Sequence, residues 1–385
     1  MKKLVVSFLV MLLLFPIVVK ADDAALIPNA KSGVLMEEST GKIIFEKNKD
    51  EKVAVASMTK MVAQILILEA IEKGQIKWTD KVTASANASS MGGSQIYLST
   101  GETLTVEEMM KGISMASAND ATVAMAEFLK GTEIDFVKEM NKKVKELGLK
   151  NTQFKNCTGL DEEGHYSTAY DMAVIARELL KHENILKFSS KYEDYLRVNT
   201  PNKFWLVNTN KLVRFYEGAD GLKTGHTDAA KYCLAATAKK NDMRLIAIVL
   251  GEEVSKIRNS ETMALLDYGF NTYKVQIVKK KNETVKTEMI EKASTKKIEY
   301  TPVYDIGILS KKGDTKKKYS YDIKITKNSL PLTKGKVVGK IRIKDGNNIV
   351  GEGDLTVKKS TKKLSYLVLL RNTIYDIASG NSSIK

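Results

Sequence analysis

The stretch Ser57-Met58-Thr59-Lys60 opens a helical pattern that runs over residues 55–73. Apolar residues recur there at helical intervals, at Met61, Ile65, Leu68 and Ile71. Gly74 follows as a signal for the end of the helix. Residues that are three apart share one face of a helix, so Ser57 and Lys60 are expected to touch. A serine hydroxyl becomes a good nucleophile only when a neighbouring base takes its proton. The stretch therefore predicts a helix that presents a serine nucleophile and its lysine base.

This spacing of serine and lysine is weak evidence by itself. It occurs again at residues 294–297 and 360–363, and an ordinary amphipathic helix could carry Ser57 and Lys60 on its surface. The interpretation gains its strength from two further motifs, which follow in a fixed order along the chain.

The second motif is Ser117-Ala118-Asn119. A capping box at residues 105–108 predicts the start of a helix, and the motif falls where the apolar pattern of that helix ends. A loop between two buried helices can hold a hydroxyl and an amide inside a cleft. The alternative is that these polar residues only end one helix and begin the next, as such residues often do.

The third motif, Lys223-Thr224-Gly225, occurs once and precedes two strand patterns at residues 232–238 and 245–251. Lys223 supplies positive charge that would lower the pKa of a nearby lysine base. Thr224 offers a hydroxyl to a substrate carboxylate, and Gly225 is expected to let a substrate approach the backbone closely. His226 follows, and we interpret it as structural rather than as a base.

Together these motifs resemble those of the D-alanyl-D-alanine carboxypeptidases, the low-molecular-mass, type-5 penicillin-binding proteins. The resemblance is strongest in four stretches: residues 54–60, 117–121, 167–173 and 220–227. It implies an α/β (α+β) fold, in which an antiparallel sheet flanked by helices, as in serine β-lactamases and transpeptidases, precedes a small β-sandwich domain. The implied reaction removes the terminal D-alanine from peptidoglycan stem pentapeptides through an acyl-serine intermediate. β-Lactam antibiotics would be covalent inhibitors, and no metal or cofactor is implied.

The resemblance also implies a role for particular residues. The expected catalytic residues are Ser57, Lys60, Ser117, Asn119 and Lys223. The expected substrate-binding residues are Thr224, Gly225, His226 and Arg258. Ser57 would be acylated, the backbone N–H groups of Ser57 and His226 would form the oxyanion hole, and Arg258 would hold the terminal carboxylate with Thr224. Relatives have an arginine upstream of the third motif, where this chain has Asn208-Thr209-Asn210.

The N-terminus has the layout of a signal peptide over residues 1–21. A basic start, Met1-Lys2-Lys3, precedes an apolar run over residues 4–19, and Val19-Lys20-Ala21 suits signal peptidase. The alternative is an uncleaved anchor, for which the run is short. We expect a mature chain from Asp22 that works outside the cell, on the outer face of the cytoplasmic membrane.

Composition predicts two domains, a catalytic one over residues 22–272 and a basic β-sandwich over residues 273–363. Residues 22–270 hold 32 Lys+Arg and 35 Asp+Glu, whereas residues 271–385 hold 26 and 11, a net charge of 26 − 11 = +15. Such a module would be attracted to anionic surfaces such as phospholipid or wall polymers. The alternative is that the lysines only form a soluble face. The expected export of the protein argues against nucleic acid as a partner.

Residues 364–385 form the tail of the chain. Its apolar residues share one helical face and resemble the family's membrane-docking helix: Leu367, Leu370, Ile374 and Ile377. The alternative is that residues 364–370 form a last strand of the β module.

Two cysteines, Cys157 and Cys233, could pair after export, but their number does not require a disulfide. The apolar surroundings of Cys233 favour a buried free thiol.

Other functions compatible with the motifs are a β-lactamase, a D,D-endopeptidase and an inactive wall-binding protein. A β-lactamase would need a carboxylate base for deacylation, for which Glu162 and Glu163 are the candidates.

Overall fold

The computed structural model describes residues 26–315, 317–327 and 329–379. The predicted signal peptide and residues 380–385 of the predicted tail lie outside these residues. The described part contains ten α-helices: α1 (Lys60–Glu72), α2 (Ala86–Ser89), α3 (Val106–Lys111), α4 (Asn119–Lys130), α5 (Glu133–Glu146), α6 (Ala169–Leu180), α7 (Leu186–Ser189), α8 (Leu212–Phe215), α9 (Ser255–Thr272) and α10 (Tyr366–Ala378).

The same part of the chain contains sixteen strands: β1 (Ser32–Glu37), β2 (Ile43–Lys47), β3 (Lys81–Thr83), β4 (Thr103–Thr105), β5 (Glu193–Leu196), β6 (Phe204–Val207), β7 (Ala219–Thr227), β8 (Lys231–Lys240), β9 (Met243–Glu252), β10 (Tyr273–Lys279), β11 (Lys286–Met289), β12 (Lys297–Pro302), β13 (Ile306–Lys311), β14 (Ser320–Ile325), β15 (Gly339–Asp345) and β16 (Asn348–Val357).

An antiparallel sheet of five strands, in the order β2-β1-β9-β8-β7, forms the centre of the first domain. Successive residues of a strand point to opposite faces of a sheet. In β9, Ile246 packs into a core shared with α1, α4 and α6, whereas Leu245 packs into a second core shared with α9. Helices therefore cover both faces of the sheet, and the fold class expected from the resemblance is confirmed.

The third motif lies in β7, at the edge of this sheet. Strand β7 is paired with β8 on one side only, and Gly225 lies opposite Cys233 in that pairing. An edge strand keeps one row of backbone groups unpaired. The turn that carries Ser57 packs against β7, since a Cβ atom on Gly225 would lie 3.3 Å from the backbone nitrogen of Ser57. The fold thus brings the third motif next to the first.

The β module contains two sheets that pack on each other. Strands β11, β12, β16, β15 and β14 form a five-stranded antiparallel sheet in this order, and β10 pairs with β13. Ile306 and Ile308 of the small sheet share a core with Ile341, Ile343 and Leu355 of the large sheet. The expected β-sandwich is confirmed.

The tail is helical over Tyr366–Ala378, so its interpretation as a last strand is wrong. The exposed fractions of its apolar stripe are large, 76% for Leu367, 58% for Ile374 and 59% for Ile377. The stripe thus lacks cover from the rest of the described chain. No helix within the described ranges combines the length and the apolar character needed to cross a bilayer.

Both cysteines are buried free thiols. The Sγ atom of Cys233 donates to the carbonyl oxygen of Ala230, and burial raises the pKa of this thiol to about 11. The free thiol expected at Cys233 is therefore present, and the pairing of Cys157 with Cys233 is wrong.

Candidate active site

The hydroxyl of Ser57 lies against the amine of Lys60. The Nζ atom of Lys60 is 2.8 Å from Oγ of Ser57 and donates at 2.6 Å to the carbonyl oxygen of Thr158. Lys60 is completely buried, while Ser57 keeps part of its surface exposed. The contact expected from the spacing is thus present, and the serine can still be reached from solvent.

Ser57 belongs to a 3-10 turn, Ala56–Thr59, rather than to the regular helix that the sequence predicts. Ala56 adopts a left-handed backbone conformation, with φ of 47°, which an α-helix cannot accommodate. Such a conformation costs about 1–3 kcal/mol and is found most often at functional sites. Helix α1 then starts at Lys60, so the serine lies immediately before its positive N-terminal end.

Two glycines let other segments pack against this turn. A Cβ atom on Gly159 would lie 1.9 Å from the carbonyl oxygen of Ala56, and one on Gly225 would lie 2.7 Å from that of Val55. Both distances are far too short for a side chain. The expectation that Gly225 makes room for a substrate is therefore incomplete, because the glycine is already required by the turn that carries Ser57.

Burial lowers the pKa of Lys60 to about 7. The nearby Cys157 and Asp120 act in the opposite direction, but their effect is smaller. An ammonium group is stabilised by water, and its loss of solvation favours the neutral amine. A substantial fraction of Lys60 is therefore neutral near pH 7, as a base must be.

Lys223 is a second buried lysine next to the first. Its Nζ atom donates to the carbonyl oxygen of Thr224 at 2.9 Å. Burial is the main cause that lowers its pKa well below the ordinary value, followed by the positive charges of Lys60 and Arg258. The structure therefore brings the first and third motifs together. Lys60 opposes protonation of Lys223, whereas burial, and not the charge of Lys223, lowers the pKa of Lys60.

The second motif lies on a loop that its neighbours hold rigidly. A short π-helical segment, Gly112–Ala116, ends at Ser117, which has a left-handed conformation with φ of 64°. The capping box predicted at residues 105–108 is present at the start of the preceding helix α3. Asp120 accepts hydrogen bonds from the backbone N–H groups of Ile96 and Leu98.

Asn119 has a buried acceptor that nothing in the described chain satisfies. Its Nδ2 atom donates to the carbonyl oxygen of Gly92 at 2.7 Å, but Oδ1 has no hydrogen-bond partner among the described residues. A buried carbonyl oxygen without a partner is costly, so this atom is suited to an N–H group of a ligand. Within the described residues, no hydrogen bond joins Ser117 or Asn119 to Ser57 or Lys60.

Thr209 belongs to the site although the sequence did not indicate it. Oγ1 of Thr224 donates to Oγ1 of Thr209 at 2.7 Å. The backbone N–H of Thr209 donates to the carbonyl oxygen of Met115, in the π-helical segment that precedes the second motif. Its only signal in the sequence is its position, in the stretch where relatives have an arginine.

Arg258 is buried and has no carboxylate partner within the described chain. It is 5% exposed, and its Nε and one terminal nitrogen donate to Oδ1 of Asn259. The other terminal nitrogen lies 3.4 Å from the carbonyl oxygen of Cys233, directly opposite Gly225 in the sheet. An ion pair with Glu261 is absent, since that carboxylate binds the N–H groups of Asn29 and Ala30 instead.

The imidazole of His226 lies outside the buried cluster. Its ring is exposed and packs on Tyr232, with 4.1 Å between the ring centres. The side chain thus has a packing contact, and the interpretation of His226 as structural stays a prediction.

His165 connects the loop of Thr158 to the nucleophile's turn. It accepts from the backbone N–H of Lys155 at Nδ1, which leaves Nε2 to donate to Oγ1 of Thr59 at 2.8 Å. Burial lowers the pKa of His165 to about 4, so it is neutral at physiological pH. The sequence did not indicate this contact.

Comparison with known proteins identifies the family. Residues 19–254 match the family described as D-alanyl-D-alanine carboxypeptidase, and residues 273–363 match the C-terminal domain of penicillin-binding protein 5. The chain belongs to the D-alanyl-D-alanine carboxypeptidase family. It is 52% identical over 348 residues to the D-alanyl-D-alanine carboxypeptidase DacF of Bacillus subtilis (strain 168), with 90% of each chain covered. It is 34% identical to DacA of Escherichia coli (strain K12) over 331 residues, which cover 83% of this chain and 81% of the relative.

Two solved structures of penicillin-binding proteins are similar to this chain. Penicillin binding protein 5 from Haemophilus influenzae matches with a TM-score of 0.68 and 29% identity, over 87% of this chain and 98% of that one. Penicillin-Binding Protein D2 from Listeria monocytogenes, in its ampicillin-bound form, matches with a TM-score of 0.57 and 31% identity. That match covers 63% of this chain and 98% of the other.

The protein is thus a serine-type D-alanyl-D-alanine carboxypeptidase, a hydrolase of a family that acts on peptidoglycan peptides and binds β-lactams. The β-lactamase alternative also lacks structural support. Both candidate carboxylates, Glu162 and Glu163, are exposed, and Glu162 accepts a hydrogen bond from Asn156.

Proposed function

We propose that Ser57 is the residue that this carboxypeptidase acylates and that Lys60 is its base. The observation that carries the proposal is the 2.8 Å contact between Nζ of a fully buried lysine and Oγ of a partly exposed serine. Neutral Lys60 takes the proton as Ser57 attacks the carbonyl carbon of the penultimate D-alanine. The backbone N–H groups of Ser57 and His226 stabilise the oxyanion that forms.

The rest of the reaction requires a proton for the leaving group and a water molecule. The nitrogen of the terminal D-alanine receives the proton held by Lys60, by way of the Ser117 hydroxyl, as the peptide bond breaks. Water then attacks the carbonyl carbon of the acyl-Ser57 ester and gives a proton to Lys60. The bond from that carbon to Oγ of Ser57 breaks, Lys60 passes the proton to Oγ, and the shortened peptide leaves with a terminal carboxylate, which regenerates the enzyme. Lys223 lies beside this relay, where burial and then the positive charges of Lys60 and Arg258 lower its pKa.

Two groups would orient the peptide. Oδ1 of Asn119, which is buried without a partner, would accept from a backbone N–H of the stem peptide. Arg258 and the hydroxyl of Thr224 would bind the terminal carboxylate, which is the feature that distinguishes an exopeptidase substrate from a cross-link. The test is incubation of the purified enzyme with a muropeptide pentapeptide and with a cross-linked dimer. Release of free D-alanine from the pentapeptide, without cleavage of the dimer, is expected, and preferential cleavage of the dimer would favour an endopeptidase.

The pH dependence of acylation should report the titration of Lys60. Because only the neutral amine is a base, the rate constant for acylation by a labelled penicillin should rise about tenfold per pH unit below about pH 7. It should become constant above that pH. Stopped-flow measurements over a pH series test this, with circular dichroism at each pH as the control for folding. A rate that does not change through this range would show that Lys60 is not the base.

Replacement of Arg258 by alanine should impair the reaction of acidic substrates. We expect Arg258→Ala to lower kcat/KM for a pentapeptide by about ten- to several-hundred-fold, the loss of one charge-assisted contact of about 1.5–3 kcal/mol. The penalty should shrink sharply when the terminal carboxylate is amidated. Lys256→Ala, on the exposed side of the same helix, is the matched control and should have little effect. An equal penalty on acid and amide substrates would show that Arg258 does not bind the carboxylate.

We further propose the organisation that the sequence predicts, with cleavage after residue 21, a catalytic domain over residues 22–272 and a basic β-sandwich over residues 273–363. The tail would attach the enzyme to the outer face of the cytoplasmic membrane. What supports this attachment is the apolar stripe of α10, which is exposed.

Deletion of residues 365–385 should release the mature enzyme from membranes, with activity on small soluble substrates nearly unchanged. Burial of the apolar stripe should provide most of the binding energy, at about 25 cal/mol per Å². High salt alone should therefore remove the intact enzyme incompletely. A finer pair of variants is Ile374→Glu, in the stripe, and Thr373→Glu beside it. Only the first should weaken sedimentation with membranes, and equal behaviour of the two would contradict a role for the stripe.

A further inference from the structure

We propose that a cluster of lysines at one end of the β module binds the phosphate groups of anionic lipids beside the tail helix. The cluster, called here the lysine collar, consists of six exposed residues: Lys292, Lys334, Lys336, Lys359, Lys362 and Lys363. The proposal rests on the membrane attachment proposed above, and it adds the class of lipid that the enzyme would recognise.

The fold brings the collar together from distant parts of the chain. Its lysines lie on three segments: residues 291–297, 332–336 and 358–363. Isolated backbone bridges join Leu332 to Thr361 and Ala293 to Lys363. The backbone N–H of Lys334 also donates to Oγ of Ser360 at 2.9 Å. The three segments are therefore neighbours on one surface.

The collar has almost no negative charge to neutralise it. The three segments contain nine lysines and one carboxylate, Glu291, which pairs with Lys296. Lys358 pairs with Glu299, outside these segments. Within the part of the chain that the structure describes, no collar lysine is in an ion pair, whereas Lys340 on a nearby strand pairs with Glu352. The three segments thus have a net charge of 9 − 1 = +8, about half of the excess of +15 in residues 271–385.

The collar is adjacent to the apolar tail helix. The backbone N–H of Leu364 donates to the carbonyl oxygen of Lys292, which fixes the chain at the collar immediately before α10 begins at Tyr366. Tyr366 follows Lys363 by three positions, so the Cα atoms of the two residues lie within about 11 Å of each other. An anionic headgroup could therefore contact the collar while the same lipid layer receives the apolar stripe.

The helix needs such help because it has little positive charge. Arg371 is its one basic residue within Tyr366–Ala378. A single weak apolar anchor gives marginal and reversible binding, and stable attachment usually combines an apolar element with a basic patch. Anionic lipid suits both features at once, whereas a soluble anionic polymer would leave the exposed apolar stripe without a partner.

The experiment measures sedimentation of the full mature chain with vesicles of phosphatidylcholine alone or mixed with phosphatidylglycerol. The collar variant combines Lys334→Gln, Lys336→Gln, Lys359→Gln and Lys363→Gln. The control variant removes the same charge elsewhere on the module, with Lys280→Gln, Lys311→Gln, Lys312→Gln and Lys318→Gln, all of them exposed. D-alanine release from a small soluble substrate should be the same in all three proteins, which shows that they are folded.

Each lysine near an anionic surface strengthens binding about fivefold, so the collar variant should lose at least about tenfold in affinity for the anionic vesicles. The control variant should lose much less, and all three proteins should bind phosphatidylcholine equally. Equal losses in the two variants would overturn the proposal, since net charge alone would then explain the binding. Loss of binding to a purified anionic wall polymer, with vesicle binding intact, would also overturn it. If the unaltered enzyme binds neither vesicle, the membrane attachment itself fails.

Discussion

Ser57→Ala is expected to abolish both acylation by a labelled penicillin and release of D-alanine, by a factor of at least about 10⁴. The physical reason is that the alanine side chain has no oxygen with which to form the acyl ester. The substitution removes one partly exposed hydroxyl and its hydrogen bond to Lys60, so the fold should be retained. Intact-protein mass spectrometry of the penicillin-treated enzyme should show one adduct, and digestion should place it on the peptide that contains Ser57.

The chain provides a matched control for this experiment. Ser360 has the same spacing to a lysine, at Lys363, but it lies on the β module, where its Oγ atom accepts from the backbone N–H of Lys334. Ser360→Ala should react with penicillin like the unaltered enzyme. An adduct on any other peptide, or undiminished turnover by Ser57→Ala, would refute the proposed mechanism.

Lys60→Met is expected to lower acylation by about 10²–10⁴-fold, the usual contribution of a general base. Its second effect should be on stability. Methionine is similar in length but carries no charge, and a buried amine is costly to keep away from water. Removing the buried amine should therefore stabilise the fold, whereas loss of its hydrogen bond to Thr158 should destabilise it. We therefore expect a melting temperature at neutral pH that is unchanged or raised, together with a nearly inactive enzyme.

Lys73→Met is the matched control for Lys60→Met. Lys73 lies directly after the same helix, is largely exposed and pairs with Glu69. Its replacement should leave acylation unchanged and alter the melting temperature only slightly, because exposed ion pairs contribute little. If Lys60→Met were acylated at a normal rate, or if its inactivity were accompanied by a large loss of stability, Lys60 would have a structural role instead.

Features that depend on residues close together in the chain could be predicted. The spacing of Ser57 and Lys60 was sufficient to predict their contact, because three residues along a helical turn bring side chains together whatever surrounds them. The capping box at residues 105–108 and the apolar face of the tail helix were correct for the same reason. The β-sandwich could be predicted from short strand patterns and a change in charge.

Features of the site that depend on distant residues were missed or interpreted incompletely. Thr209 contacts Thr224 across a separation of 15 residues, and His165 contacts Thr59 across 106. No local pattern signals either pair. From the sequence, Gly225 was expected to make room for a substrate. In the structure, the carbonyl group of Val55 already approaches Gly225 too closely for any side chain.

By itself, the sequence determined the order of the three motifs, the family to which they belong and the chemistry that such residues can perform. Tertiary structure alone decided whether that chemistry is available. The pKa of Lys60 falls to about 7 because the fold removes its amine from water. Burial lowers the pKa of Lys223, and Lys60 adds to that effect only because an edge strand lies beside the nucleophile's turn. Burial and the electrostatic effect of a nearby charge depend on residues that are far apart in the chain. They therefore cannot be predicted from the spacing of residues in the sequence.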